Sequence, residues 1–219
     1  VYPSNACGYH CSHCIMAKEK EWHKASLSKN AMERIPEDAK RHRIKTVIFS
    51  GGGDPLLNFH TVDTARALQR IGIGVGLNNQ GYFLDDPTPF DFIRFSVDAV
   101  SKEMYGIIHQ PSQKDAWERV NRNIETSARY KRHNPKFEFG LAFLVTPVNW
   151  MEAYEFCRWG QRFQPDFIHV RPAFLDTDYL DPEGGRRLKN EVAPKLREVA
   201  GKAEKEFPNV YFRFDKFEG

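Results

Sequence analysis

Short apolar runs alternate along this chain with longer stretches in which apolar residues return every three or four positions, and polar clusters close the runs. Thr46-Val-Ile-Phe49 is a run of β-forming residues that ends at glycines, and His60 to Ile71 carries Val62, Ala65, Leu68 and Ile71 at helical spacing. The sequence then repeats the theme. Gly74-Val-Gly-Leu77 stops at Asn78-Asn79-Gln80-Gly81, and Phe92-Ile-Arg-Phe95 stops at Ser96-Val97-Asp98. A helical stretch from about Lys114 to Lys131 leads to a strand over Phe137 to Val145. Asn149 is placed to cap a helix reaching about Phe163, and Phe167-Ile-His-Val170 is a strand that ends at Arg171-Pro172. Val1-Tyr2-Pro3 has the character of the end of a first strand, and Val210-Tyr-Phe-Arg-Phe214 is strand-like. This alternation predicts parallel strands joined by helices, in about six βα units. A closed barrel has eight, so the expected fold is α/β, a partial (β/α)6 TIM-like barrel that stays open, with its functional residues at the carboxyl ends of the strands.

Composition narrows the classes. A length of 219 residues suits one domain with a single core, its last helix and strand falling within residues 173–219. The formal charge of +3, from 32 Lys and Arg against 29 Asp and Glu, is too small to mark a nucleic-acid or membrane surface. No run of about 18 apolar residues and no basic-then-apolar leader is present, so a soluble cytoplasmic protein is expected. Both ends read as cut from a longer chain. Aromatic residues, 13% of the total, fall at core periods rather than as a stacking platform, and Arg129-Tyr-Lys-Arg-His133 suits a solvated helix end.

The chemistry is concentrated near the start, where Cys7-Gly8-Tyr9-His10-Cys11-Ser12-His13-Cys14 places three of the four cysteines within eight residues. Such close neighbours make a poor disulfide framework. Clusters that only carry electrons are held by four cysteines, so a trio suggests an iron-sulfur cluster with one iron left for a non-protein ligand. The competing reading is a zinc-stabilised interaction module using the three cysteines with His10 or His13. No second ligand pair appears downstream, and the other histidines, such as His23, His42 and His60, are scattered. Cys157, within an apolar helical stretch, suits a small buried hydrophobe.

The CxxxCxxC loop, followed by Ser50-Gly51-Gly52-Gly53-Asp54-Pro55 with Asp54 40 residues past Cys14, resembles the radical S-adenosylmethionine (SAM) superfamily. The resemblance implies that Cys7, Cys11 and Cys14 hold a [4Fe-4S] cluster whose fourth iron is chelated by SAM, and that reductive cleavage gives a 5′-deoxyadenosyl radical. His13 then stands where an aromatic residue lies against the adenine. Gly52, Gly53 and Asp54 look like the GGEP motif that receives the SAM amino group, with Asp54 in place of the usual glutamate. Asn78-Asn79-Gln80-Gly81 resembles a TNG-like turn, and Ser96-Val97-Asp98 an SxD segment in which Ser96 and Asp98 touch the rest of SAM. His109 stands where relatives often carry an arginine, and Arg171 is a candidate for pairing with a carboxylate of SAM or substrate. The expected partners are a peptide or polar small-molecule substrate and an electron donor such as flavodoxin or ferredoxin. A glycyl-radical activating enzyme is the alternative within this chemistry. No cysteine-rich extension follows, so one cluster is expected.

Overall fold

A computed structural model describes residues 1–18, 25–173 and 181–216. Six strands form one sheet in sequence order: β1 (Thr46–Phe49), β2 (Gly74–Asn79), β3 (Phe92–Ser96), β4 (Glu138–Val145), β5 (Phe167–Pro172) and β6 (Val210–Phe212). The pairs β1–β2, β2–β3, β4–β5 and β5–β6 are all parallel. The sixth strand is therefore the Val210 run. Val1, expected at the end of a strand, makes two ladder bonds with β1, donating to Ile48 O and accepting from Ser50 N at 2.9 Å each.

The described residues divide by contact into two compact units. The first comprises 1–8, 25–95 and 118–139 and holds β1 to β3 with the helices α2 (Lys29–Arg41), α3 (Thr61–Arg70) and most of α5 (Ala116–His133). Ser28 caps α2 by accepting from Ala31 N at 3.3 Å. Pro36 inside α2 has no N–H to offer the carbonyl one turn back, that of Met32. The Thr64 hydroxyl of α3 donates to that carbonyl instead, at 3.4 Å, so the helix interior tolerates its proline. Val47, Phe49, Val75, Leu77 and Ile93 bury one or both faces of the strands.

The second unit comprises 9–18, 96–117, 140–173 and 181–216, with the short helix α1 (Ile15–Lys18), α4 (Lys102–His109), α6 (Ala153–Gln161), α7 (Pro182–Arg187) and α8 (Ala193–Glu206). Helix α6 lies close on β4 and β5 because Gly160 has no side chain; a Cβ there would stand 2.6 Å from Ile168 and 3.0 Å from Leu141. A π-turn over Leu188–Val192 precedes Pro194, whose ring breaks the regular ladder at the start of α8.

Two local expectations change. Helix α4 has too weak a periodicity to be read from sequence, with Gly106 in its middle, and is fixed by its ends. Ser101 accepts from Met104 N at 3.2 Å, and Val100 N and Ser101 Oγ donate to the Glu152 carboxylate. Asn149 does not cap the helix after it. That segment begins as a 3-10 turn, Trp150–Glu152, and the Asn149 side chain is turned inward.

Candidate active site

In the first unit, the glycine loop after β1 is laced to the segment that leads into the cysteines. Gly53 N donates to Ser4 O at 3.1 Å and Asp54 N to Ala6 O at 2.8 Å. A Cβ on Gly53 would sit 2.1 Å from Ala6 O, so this close approach admits only glycine. Asp54 is fully buried. Its Oδ1 accepts from Leu56 N at 2.8 Å and starts the turn Pro55–Leu57, while Oδ2 has no partner. Burial pushes its carboxyl up to about 6, against the pull of the Leu56 N–H. Gly52 lies half-buried in the same loop. Cys7 is half-buried, and Gln80 Nε2 lies 3.7 Å from its sulfur. At the carboxyl end of β2, Asn79 is 4% exposed, and neither of its side-chain polar atoms is bonded. Asn78 Oδ1 and Gln80 Oε1 are likewise buried without partners.

In the second unit, the loop carrying Cys11, His13 and Cys14 is strapped to the end of α4. His10 N donates to His109 O and Ser12 N to Ile108 O, each at 3.1 Å, so loop amides satisfy carbonyls that a helix terminus leaves open. Cys14 N closes a turn on Cys11 O at 3.0 Å. Cys11 is buried, its sulfur 3.2 Å from His109 Nδ1, whereas Cys14 is half-buried. His109 Nε2 lies 2.8 Å from Val97 O, which can only accept, so Nε2 carries the hydrogen and Nδ1 the lone pair. Burial first, then His13, brings the His109 imidazole down to about 3. It is neutral, and so it cannot stand in for the arginine of relatives as a cation.

His13 and Asp98 share this neighbourhood. His13 Nε2 is 3.9 Å and His109 Nε2 3.4 Å from Asp98 Oδ2. Burial and the charge of Arg171 bring His13 down to about 4, so neither histidine forms an ion pair with Asp98 at neutral pH. Asp98 takes a left-handed φ of 59° and accepts from Leu144 N at 2.6 Å. Asn149 fixes that bend: Nδ2 donates to Asp98 O and Leu144 O at 2.9 Å each, and Oδ1 accepts from Thr146 N at 2.7 Å and Thr146 Oγ1 at 3.0 Å. Ser96 is half-buried at the end of β3. Arg171, half-buried in β5, has no carboxylate partner among the described residues.

The expected residues thus fall into two groups: Cys7, Gly52, Gly53 and Asp54 in one unit, and Cys11, His13, Cys14, Ser96, Asp98 and Arg171 in the other. Asn79 and Gln80 of the TNG-like turn, His109 and Asn149 join them, in contacts that the resemblance did not assign: Gln80 beside Cys7, His109 beside Cys11, and Asn149 on the bend at Asp98. Among the described residues no group of three or more His, Cys, Asp or Glu side chains is gathered around one point. Among the described residues no helix is long and apolar enough to cross a membrane.

Residues 1–159 match the family model described as the Radical SAM superfamily. No curated protein matches the chain. Among solved structures, Streptococcus suis SuiB bound to precursor peptide SuiA is similar with a TM-score of 0.73 and 15% identity, covering 97% of this chain and 47% of SuiB. Native anSMEcpe with bound AdoMet and Cp18Cys peptide has a TM-score of 0.69 at 14% identity, covering 97% of this chain and 61% of that one. TYW1 with a lysine-pyruvate adduct bound gives 0.65 at 14%, with 91% and 70% covered. The chain spans about half the length of SuiB. At such identities these likenesses carry the fold, the open partial barrel that the alternation predicted. The cysteine loop, the glycine loop and the matched model agree: the chain belongs to the Radical SAM superfamily, enzymes whose cofactors are a [4Fe-4S] cluster and S-adenosylmethionine.

Proposed function

We propose that this chain carries out radical SAM chemistry on a peptide substrate, with electrons from a low-potential carrier such as flavodoxin or ferredoxin. The observation that carries the reading is Asp54 Oδ2, a buried carboxylate oxygen without a partner on a loop too tight for any side chain at Gly53. An ammonium group is the ligand that such an acceptor lacks. Cys7, Cys11 and Cys14, all free thiols, would hold the cluster; Gly52, Gly53 and Asp54 the SAM amino group; Ser96 and Asp98 the rest of SAM; and Arg171 a carboxylate. His13, neutral and half-buried, would offer its ring to the adenine. When bound, the cluster supplies the electron that splits SAM, and SAM supplies the 5′-deoxyadenosyl radical that removes a hydrogen atom from the substrate. The chain's own part is positioning and exclusion of water.

The peptide assignment draws on SuiB and anSMEcpe, both solved with peptides. The unpaired Asn79 carboxamide supports it, since one donor and one acceptor on a single buried group complement a peptide bond. The test is anaerobic reconstitution with iron and sulfide, followed by assay of 5′-deoxyadenosine with a low-potential reductant. Iron-loaded protein that forms none would overturn the proposal. A peptide library that raises the yield supports the substrate class; stimulation only by small metabolites counts against it.

A further inference from the structure

The contact between Gln80 and Cys7 joins residues 73 positions apart, and the surrounding backbone is arranged to hold it. Gly81 turns the chain immediately after Gln80 with a φ of 92°, and a Cβ there would meet the Phe95 ring at 2.8 Å. Asn123 of α5 fastens the turn, donating to Gly81 O at 2.7 Å and to Tyr82 O at 3.3 Å. The backbone that follows Gln80 is therefore held in place. A cysteine sulfur bound to iron can only accept, so the carboxamide must present Nε2 to it, and 3.7 Å is within reach of an N–H···S bond given sulfur's large radius. At Cys11 the situation is opposite, because His109 turns a lone pair toward the sulfur.

We propose that Gln80 is a positioning residue that donates a hydrogen bond to the Cys7 sulfur and so raises the reduction potential of the cluster that this cysteine helps to hold. The inference rests on the radical SAM reading above. Hydrogen bonds to the sulfurs are among the factors that set iron-sulfur potentials, because they stabilise the more negative reduced state. Removing the N–H makes the cluster harder to reduce without removing a ligand. The carboxamide thus trades driving force for SAM cleavage against ease of reduction by the donor.

The experiment uses reconstituted holoprotein without SAM. Iron content and the EPR signal of the reduced state establish first that a cluster is present. EPR-monitored redox titration should then give a lower midpoint for Gln80→Leu than for wild type, and a lower one still for Gln80→Glu, at equal iron content. An unchanged midpoint in Gln80→Leu overturns the proposal. Should both variants fail to load, wild-type protein carrying 15N in its glutamine side chains decides: HYSCORE of the reduced state should show a coupled nitrogen, and its absence overturns the proposal. If wild type itself assembles no cluster, the radical SAM reading fails and takes this inference with it. A loaded wild type with no coupling sinks the inference alone.

Discussion

On the proposed reading, Asp54 serves a ligand at the expense of the empty protein. Its carboxyl sits at about 6 in the folded chain against 3.8 ordinarily, so the folded state holds the proton more tightly than the unfolded one. Its contribution is fully favourable below about pH 4 and is lost as pH rises through about 6. Asp54→Asn keeps an oxygen for Leu56 N and removes the charge. It should stabilise ligand-free protein at pH 8 by roughly 2–3 kcal/mol, about two pKa units, with the gain vanishing near pH 4. Urea unfolding of both proteins at pH 4, 6 and 8 checks this, and a gain independent of pH would contradict it. The same variant should bind SAM at least about tenfold more weakly at pH 8. Wild-type affinity should itself fall as pH drops through about 6, measurable by calorimetry. The spacing of Cys7, Cys11, Cys14 and Gly51 to Asp54 was legible in the sequence because local backbone chemistry determines it. The roles of Gln80, His109 and Asn149 were not, since each depends on which distant loop arrives beside it.

At the scale of elements, the strand endings matter more than the strands. The apolar runs of β1 to β5 were readable by their length and residue types, and their polar ends by turn chemistry. Helix α4 was hidden because it is short and carries Gly106 in its middle; its start is marked by the Ser101 cap and the Glu152 carboxylate, and it buries Tyr105 and Ile108. Asn149 looked like a cap, yet one carboxamide ties β4's end to Asp98 through four hydrogen bonds. Asn149→Ala leaves buried carbonyls and an amide unpaired and should cost about 2–4 kcal/mol in chemical denaturation. A cost below about 0.5 kcal/mol would show that the bend at Asp98 supports itself. Gly53→Ala must push residues 5 and 6 aside; SAM affinity should fall at least tenfold, with calorimetry again the measurement.

For the whole molecule, alternation of period and polar punctuation was enough to reach the fold class, because parallel βα units leave few other solutions. The Val210 run was also readable as a strand, but its place at the edge beside β5 was not, since pairing partners are set by the fold and not by three residues. The buried Cys157, its thiol pushed up to about 12 by burial, has no role in the proposed cluster. Cys157→Ser should therefore keep the iron stoichiometry of wild type, whereas Ala at Cys7, Cys11 or Cys14 should lower it sharply by iron and sulfide assay. Equal loss in all four would argue that the cysteines serve folding alone. The His10 and Ser12 amides of the cysteine loop are already anchored on the last carbonyls of α4, by bonds that do not involve metal. On the proposed reading, protein stripped of its iron by air should keep the backbone around Cys11 and Cys14 in place, so that repair needs iron and sulfide rather than refolding of that segment.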